Sequence, residues 1–290
     1  MAFREFWHPL TTLYDIGEAR SIALLVLERC FGLSLPEILC GAMDNLDEQA
    51  LTHLRNRLLA GEPVQYVLGE AEFCGRIFHV EPGVLIPRPE TEWLCRKAVE
   101  LMSGAGGGSL LDIGTGSGCI ACTVALDMAR QTGNDGREMS SEVVAWDISE
   151  QAITIARDNA ARLGANVYVE KKDALNPPTD THRWDIIVSN PPYICQGERA
   201  AMHQNVLCHE PELALFVPDD NPLIFYRAIA RYAIHALKPC GKLLFEINPS
   251  YAEELVVMAE SMGFGTVIIE KDIFGKKRYA VISDLCGCPV

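Results

Sequence analysis

The order of elements along the chain predicts an α/β fold: a seven-stranded, mostly parallel sheet with one antiparallel strand, preceded by a small helical domain and a β-hairpin linker. Three observations carry this. From about residue 109 onward, apolar strand-like runs alternate with helical stretches, the pattern of parallel strands joined by crossover helices. The first ~75 residues instead carry apolar side chains at helical spacing and show no strand alternation. Finally, the last two strand-like runs are separated only by KDIFGKK (271–277), too short for a crossover helix, so they should pair antiparallel.

Taken in order, YDIGEARSIALLVLERCFGL (14–33) and LDEQALTHLRNRLLAGEP (46–63) read as amphipathic helices, with a short helix between them in LPEILCG (35–41). EFCGRIFHVEPGVLIP (72–87) has β-type residues broken at Pro82 and Gly83, which reads as a hairpin or linker strand pair. A helix over PETEWLCRKAVELM (89–102) leads through a Gly-rich connection into the alternating region. Strands are predicted over 109–113, 142–147, 166–170, 184–189, 241–247, 265–270 and 278–282, and helices over 118–130, 150–163, 222–237 and 250–262. The polar stretch 131–141 reads as a surface loop. The implied domains are 1–72, 73–88 and 89–290.

Composition narrows the function classes. The chain has 290 residues, 49% of them hydrophobic, enough for a sizeable core. Its formal net charge of −14 argues against a sequence-independent grip on a phosphate backbone, which relies on Lys and Arg displacing counterions. No run of about 18 apolar residues reads as a membrane span, and MAFREFWHPLTTLYD lacks the features of a signal peptide, so a cytoplasmic protein is expected. Eleven cysteines, an odd number scattered through apolar segments, fit reduced core-filling thiols better than a disulfide framework. Cys119 and Cys122 form a C-x-x-C that reads as the small apolar face of a helix, because no second pair at zinc-site spacing accompanies it. Cys286 and Cys288 likewise lack partners at such spacing, His203, Cys208 and His209 read as surface loop, and no metal is expected.

Two motifs carry chemistry. LLDIGTGSGCIA runs from a strand through a Gly-rich turn into a helix. The dinucleotide fingerprint would need Gly or Ala at position 119, where this chain has Cys119. Gly114, Gly116 and Gly118, with Thr115 and Ser117 between them, instead suit the tighter turn of S-adenosyl-L-methionine sites, with Asp112 holding the turn or receiving the cofactor's ammonium. Asp147 ends the next strand, beside Ile148, where a carboxylate can accept two ribose hydroxyls. Asp173, followed by Ala174, could receive the adenine amino group. Each aspartate could alone be a helix N-cap; three after three successive strands place a ligand along the carboxyl edge of the sheet.

The second motif is WDIIVSNPPYI (184–194). Asn190 and Pro191 both precede prolines, which forces extended backbone and leaves a stiff segment where the strand emerges. A planar amide or amino nitrogen is a poor nucleophile because its lone pair is conjugated. The Asn190 side-chain carbonyl and the Pro191 backbone carbonyl can orient its N–H groups, so that the lone pair turns toward a methyl donor as conjugation fades. Tyr193 can stack on the flat group, and positioning of this kind needs neither metal nor covalent intermediate.

NPPY combined with DIGTGSG resembles the amino-group methyltransferases of the Rossmann-like class. GEPVQYVLGEAEFCGRIFHVEPGVLIPRPETE, HEPELAL, GKLLFEIN and KDIFGKKRYAVI narrow the resemblance to the protein-(glutamine-N5) methyltransferases that modify peptide chain release factors, the HemK/PrmC family. The resemblance implies a Rossmann-like methyltransferase domain, S-adenosyl-L-methionine as cofactor, and as substrate the glutamine of a Gly-Gly-Gln loop. It also implies that Gly114 to Gly118, Asp147, Asp173 and Ala174 hold the cofactor. Asn190, Pro191, Pro192 and Tyr193 would hold the glutamine, with Arg88 and Glu90 shaping the approach. A bulky aromatic often stands in similar proteins where this chain has Ala174, and Asn248 stands where glycine is common. A monomer acting on release factors is the expected state. The same NPPY chemistry would also serve a nucleic-acid amino methyltransferase acting on adenine or guanine, and a cofactor-binding module without activity is a third reading.

Overall fold

A computed structural model describes residues 1–131 and 140–285. Among them, no helix is long and apolar enough to cross a membrane. They fall into two compact units, one of Met1–Glu70, Val80–Pro82 and Met202–Glu210, the other of Ala71–His79, Gly83–Ala201 and Pro211–Val290.

The first unit is helical. Its longest helix, Ile16–Phe31, buries Ala19, Ile22, Ala23, Val26 and Leu27, the three-and-four spacing read from the sequence. Asp15 caps it by accepting from the Glu18 amide at 2.8 Å, and Gly32 ends it in the left-handed region at φ 67°. Glu48–Leu59 packs Leu51 and Leu58 into the same core as Phe6, Leu10 and Leu27. The Arg57 guanidinium donates to Glu62 and to the carbonyls of Tyr66 and Val67, tying down the end of the following helix, Val64–Leu68. Residues 202–210, inside the stretch 89–290 assigned to one domain from the sequence, belong to this unit, where Asn205 donates to the Tyr14 hydroxyl at 3.2 Å. They include a short helix, Gln204–His209, where a surface loop was expected.

A hairpin follows. Its strands are β1 (Glu70–Phe73) and β2 (Arg76–His79), with the turn at Cys74 and Gly75, both at positive φ. The break at Pro82 and Gly83 therefore ends the hairpin segment instead of forming its turn, and 84–86 is not a strand.

The second unit is built on a sheet of seven strands: β3 (Gly108–Ile113), β4 (Ser141–Asp147), β5 (Tyr168–Lys171), β6 (Trp184–Ser189), β9 (Leu237–Glu246), β10 (Phe264–Lys271) and β11 (Lys277–Leu285). Between β6 and β9, β7 (Ile194–Cys195) and β8 (Phe216–Val217) form a separate parallel pair that the sequence reading did not anticipate. The large sheet runs β10-β11-β9-β6-β3-β4-β5. Only β11 is reversed, antiparallel to both β9 and β10, as the short 271–277 connection requires. The fold is the Rossmann-like sheet expected. β5 begins two residues later than read, and β9 four residues earlier.

Helices cover both faces, so the strands are apolar on both sides and alternate in destination. Leu110, Val143, Ala145, Ile186 and Val188 face one cluster, with the helices Glu92–Gly104 and Cys119–Met128. Leu111, Ile113, Val144, Trp146 and Ile187 face the other, with Ile224–Ala236 and Ala252–Ser261. Cys119 and Cys122 are buried in that first cluster as free thiols, part of a core-facing helix as read. Cys286, Cys288 and most of the loop 131–141 lie outside the described residues. Among the described residues no group of three or more His, Cys, Asp and Glu could hold a metal ion.

Candidate active site

Chain order along the sheet runs β3, β4, β5 in one direction, then starts again at β6 on the other side of β3. That switch point opens a crevice at the carboxyl ends of β3 and β6, where ligands bind in open α/β sheets. The register aligns these ends: Ile113 pairs with Trp146 on one side and with Ser189 on the other. The Ser189 hydroxyl donates to the Ile113 carbonyl at 2.6 Å, fixing the point at which both chains leave the sheet. Gly114 and Asn190 follow directly.

A cavity of about 380 Å³ lies there, in the range of small-molecule sites. Of the residues singled out from sequence, Gly114, Gly116, Asp147, Ile148, Asp173, Ala174, Asn190, Pro191 and Pro192 line it. Asp112, Thr115, Ser117, Gly118, Tyr193, Arg88 and Glu90 stand outside its wall.

The glycine turn is built from backbone contacts. The amides of Gly114 and Thr115 both donate to the Trp146 carbonyl, at 2.8 and 2.9 Å, and Gly116 donates to the Asp147 carboxylate at 2.9 Å. Gly114, Gly116 and Gly118 all have positive φ. Gly118 also meets a spatial limit: a Cβ there would lie 3.1 Å from the Ala156 Cβ and 3.2 Å from its Cα, on the neighbouring helix Glu150–Leu163. Asn159, fully buried on that helix, donates to the Ser117 carbonyl at 2.9 Å and exchanges two hydrogen bonds with the His79 backbone. The hairpin and the glycine turn are thereby joined through one amide.

Asp112 faces away from solvent entirely. One carboxylate oxygen accepts from the Thr115 hydroxyl at 2.6 Å and the Ala121 amide at 3.2 Å; Oδ1 is buried with no partner. Burial pushes its pKa up to about 7, against the pull of those two hydrogen bonds. Burial also raises Asp147, although the amides of Ser149, Gly116 and Ile148 stabilise its charge. Asp173 accepts from the Leu175 amide at 2.8 Å and the Asn176 side chain at 2.7 Å.

On the β6 side, the Asn190 side-chain nitrogen donates to the Thr91 hydroxyl at 3.3 Å. Tyr193 stands behind the wall: its hydroxyl donates to Glu246 at 3.0 Å and its ring packs against the apolar cluster under β6 and β9. Glu90 is tied by its backbone carbonyl, which accepts from the Tyr279 hydroxyl at 2.7 Å. Ala174 lines the cavity as a small residue, and the aromatic in the described wall is Phe225, which the sequence reading passed over. Also missed were Val84 and Leu85 from the linker and Pro211, Leu213 and Ala214 from HEPELAL. The repeated appearance of those motifs in the resemblance was the available signal for these five; none pointed to Phe225.

The apolar-walled cavity, with the Asp147 and Asp173 carboxylates and the glycine turn in its wall, fits a ligand with a cationic amino-acid end and a flat heterocycle, as S-adenosyl-L-methionine has. Comparison with known proteins agrees with this chemistry. Residues 97–213 match the methyltransferase small domain and residues 7–69 the PrmC N-terminal domain. A release factor glutamine methyltransferase of Bacteroides thetaiotaomicron is 42% identical over 273 residues, 93% of this chain and 94% of its own. Proteins of the same name from Flavobacterium psychrophilum and Streptococcus pneumoniae are 35% identical over 94% of this chain and 95% of theirs, and 36% identical over 82% and 81%.

Proposed function

The chain belongs to the release factor glutamine methyltransferase family, and from that premise we propose that it transfers a methyl group from S-adenosyl-L-methionine to the side-chain amide nitrogen of the Gly-Gly-Gln glutamine in peptide chain release factors. The observation that carries this reading is the convergence of Asn190 and the glycine turn on one cavity at the switch point of the sheet.

Gly114 to Gly118, Asp147, Ile148, Asp173 and Ala174 would hold the cofactor, with Asp112 holding the turn through Thr115 and Ala121. Bound there, the cofactor supplies an electrophilic methyl on a sulfonium. The Asn190 carbonyl oxygen and the Pro191 backbone carbonyl orient the two N–H groups of the acceptor amide. As its conjugation fades, they stabilise the positive charge that develops on nitrogen. On taking the methyl, the acceptor nitrogen gives up one proton to solvent and is left as an N-methyl amide. Pro192 stiffens the segment, and Tyr193, anchored by Glu246, keeps it seated. Arg88 and Glu90 precede Thr91 on the linker side, and we assign them to the substrate approach. The helical domain 1–72 would dock the release factor and the linker 73–88 would join it to the catalytic domain 89–290. Such a substrate implies a cytoplasmic protein, and we take a monomer as its working state.

The test is labelled methyl transfer to purified release factor beside DNA and tRNA, with mass spectrometry to place the added methyl. Label on the Gly-Gly-Gln glutamine is expected; label on nucleic acid alone would select the amino-base reading. Asn190→Ala should lower kcat by about 10²-fold or more, as loss of an oriented charge-stabilising contact does, while cofactor affinity stays within about threefold. A variant with full turnover would remove Asn190 from the chemistry.

A further inference from the structure

Behind Asn190 lies a buried polar chain that joins three distant segments. Glu246, at the carboxyl end of β9, is 2% exposed, and Thr91 is 3% exposed. The Thr91 hydroxyl donates to Glu246 Oε2 at 2.7 Å, and the Tyr193 hydroxyl donates to Oε1 at 3.0 Å. Burial raises the Glu246 pKa, opposed by the Thr91 and Tyr193 hydroxyls and by the positive charge of Arg278, which favour the carboxylate. An ionised carboxylate only accepts, so both hydroxyls must point their hydrogens at it. Thr91 has a single hydrogen, already given to Glu246. What it offers Asn190 is a lone pair, and the Asn190 side-chain nitrogen donates into it.

This fixes a direction. An asparagine amide has a donor end and an acceptor end of nearly equal shape, and only its hydrogen bonds decide which way it faces. With the nitrogen drawn to Thr91, the carbonyl oxygen is left for the cavity that Asn190 lines. We propose that Glu246 and Thr91 are positioning residues which set the polarity of the Asn190 amide, so that the site accepts a nitrogen donor and disfavours a carboxylate of the same shape. The inference rests on the methyl-transfer reading above and adds the origin of its amide-over-acid selectivity. A glutamate in place of the target glutamine presents only acceptors to an acceptor, and is repelled. Glu246 and Thr91 touch neither substrate nor cofactor in this scheme; they act through Asn190.

Thr91→Val keeps the shape of the side chain and removes the relay. We expect kcat to fall about 10-fold, in line with the loss of a charge-assisted hydrogen bond network, with cofactor affinity unchanged within about twofold. Thr91→Ser should restore kcat to within about threefold of wild type, since it returns the hydroxyl. The readout that a merely structural role would not move is discrimination. A release factor carrying Gly-Gly-Glu should compete poorly with Gly-Gly-Gln for wild type, and about fivefold better for Thr91→Val, where the Asn190 amide is free to turn. Glu246→Gln relieves a buried charge and so retains the fold. Its amide can both donate and accept, so it should also narrow the discrimination. Unchanged discrimination in both variants, or a Thr91→Val loss that serine does not rescue, overturns the proposal. Wild-type protein that leaves the glutamine unlabelled would instead overturn the methyl-transfer reading itself, so the two failures are distinct.

Discussion

Replacing Asp112 by asparagine should make the cofactor-free protein more stable at pH 8 while weakening its hold on S-adenosyl-L-methionine. Asp112 is fully buried, and burial lifts its pKa to about 7 in the folded chain, against a usual value of 3.8. The folded protein therefore keeps a proton that the unfolded chain surrenders. The stability tied to that proton is fully present below about pH 4, declines as pH rises, and is gone above about pH 7. Roughly three pKa units correspond to about 4 kcal/mol. Asparagine cannot ionise, and its carbonyl can still accept from Thr115 and Ala121. Its amino group, however, replaces the unpartnered Oδ1 and costs about 1–3 kcal/mol as a buried unpaired donor. The net expectation is a variant about 1–3 kcal/mol more stable than wild type at pH 8 and equal or less stable near pH 4. Urea unfolding of both proteins at the two pH values, without cofactor, measures the difference and cancels groups that titrate in both. Calorimetric titration with S-adenosyl-L-methionine should show about 10-fold weaker binding for the variant, because the charged acceptor that holds Thr115 in the cofactor turn is lost. A variant destabilised by the same amount at both pH values would refute the assignment of a strained, proton-sensitive carboxylate to this position.

Two further substitutions probe the cavity. Gly118→Ala places a methyl 3.1 Å from Ala156 on a backbone at φ +81°, so it should cost about 1–3 kcal/mol in unfolding free energy and loosen the cofactor turn, read by denaturant midpoint and by binding. Phe225→Ala removes the aromatic of the described wall and should weaken cofactor binding about 10-fold while leaving the melting temperature within a few degrees, as expected for a partly exposed ring that serves the ligand more than the core; unchanged affinity would exclude it from the binding site.

The sheet was legible in the sequence because parallel strands buried on both faces are nearly continuous apolar runs, and because the predicted helices, apart from the almost wholly buried Cys119–Met128, have a three-and-four period. Where the reading slipped, the physical signal was short or ambiguous. Two-residue strands such as Ile194–Cys195 and Phe216–Val217 have no period to detect. The helix Gln204–His209 is six residues long and buries none of its side chains, so its polar composition looked like loop. Pro82 and Gly83 are stronger turn residues than Cys74 and Gly75, yet the latter make the hairpin turn, with Cys74 at φ 49° and its amide donating to Glu92 at 2.9 Å. A tertiary hydrogen bond there outweighs local preference.

The site divides along the same line. Gly114 to Gly118, Asp147, Asp173 and the Asn190 segment could be found because each sits at the end of a strand, and a parallel sheet delivers all strand ends to one edge. Their supports could not. Thr91 and Glu246 are 155 positions apart, and Thr91 and Asn190 are 99 apart, so no window of sequence contains the relay. Asn159 looks like a polar interruption on an apolar helix face until it is seen satisfying the backbone of both His79 and Ser117. Buried polar residues of this kind are expensive to leave unpaired, which gives them a use in reading other chains of the same pattern. A threonine just past the linker stretch and a glutamate ending the strand beside the NPPY strand are buried polar groups, and the asparagine after the NPPY strand is a half-buried one beside them. Their joint presence is explained by a hydrogen-bonded chain with one permitted direction. Loss of any one member should therefore be felt first in how the amide at Asn190 faces its substrate, before it is felt in the fold.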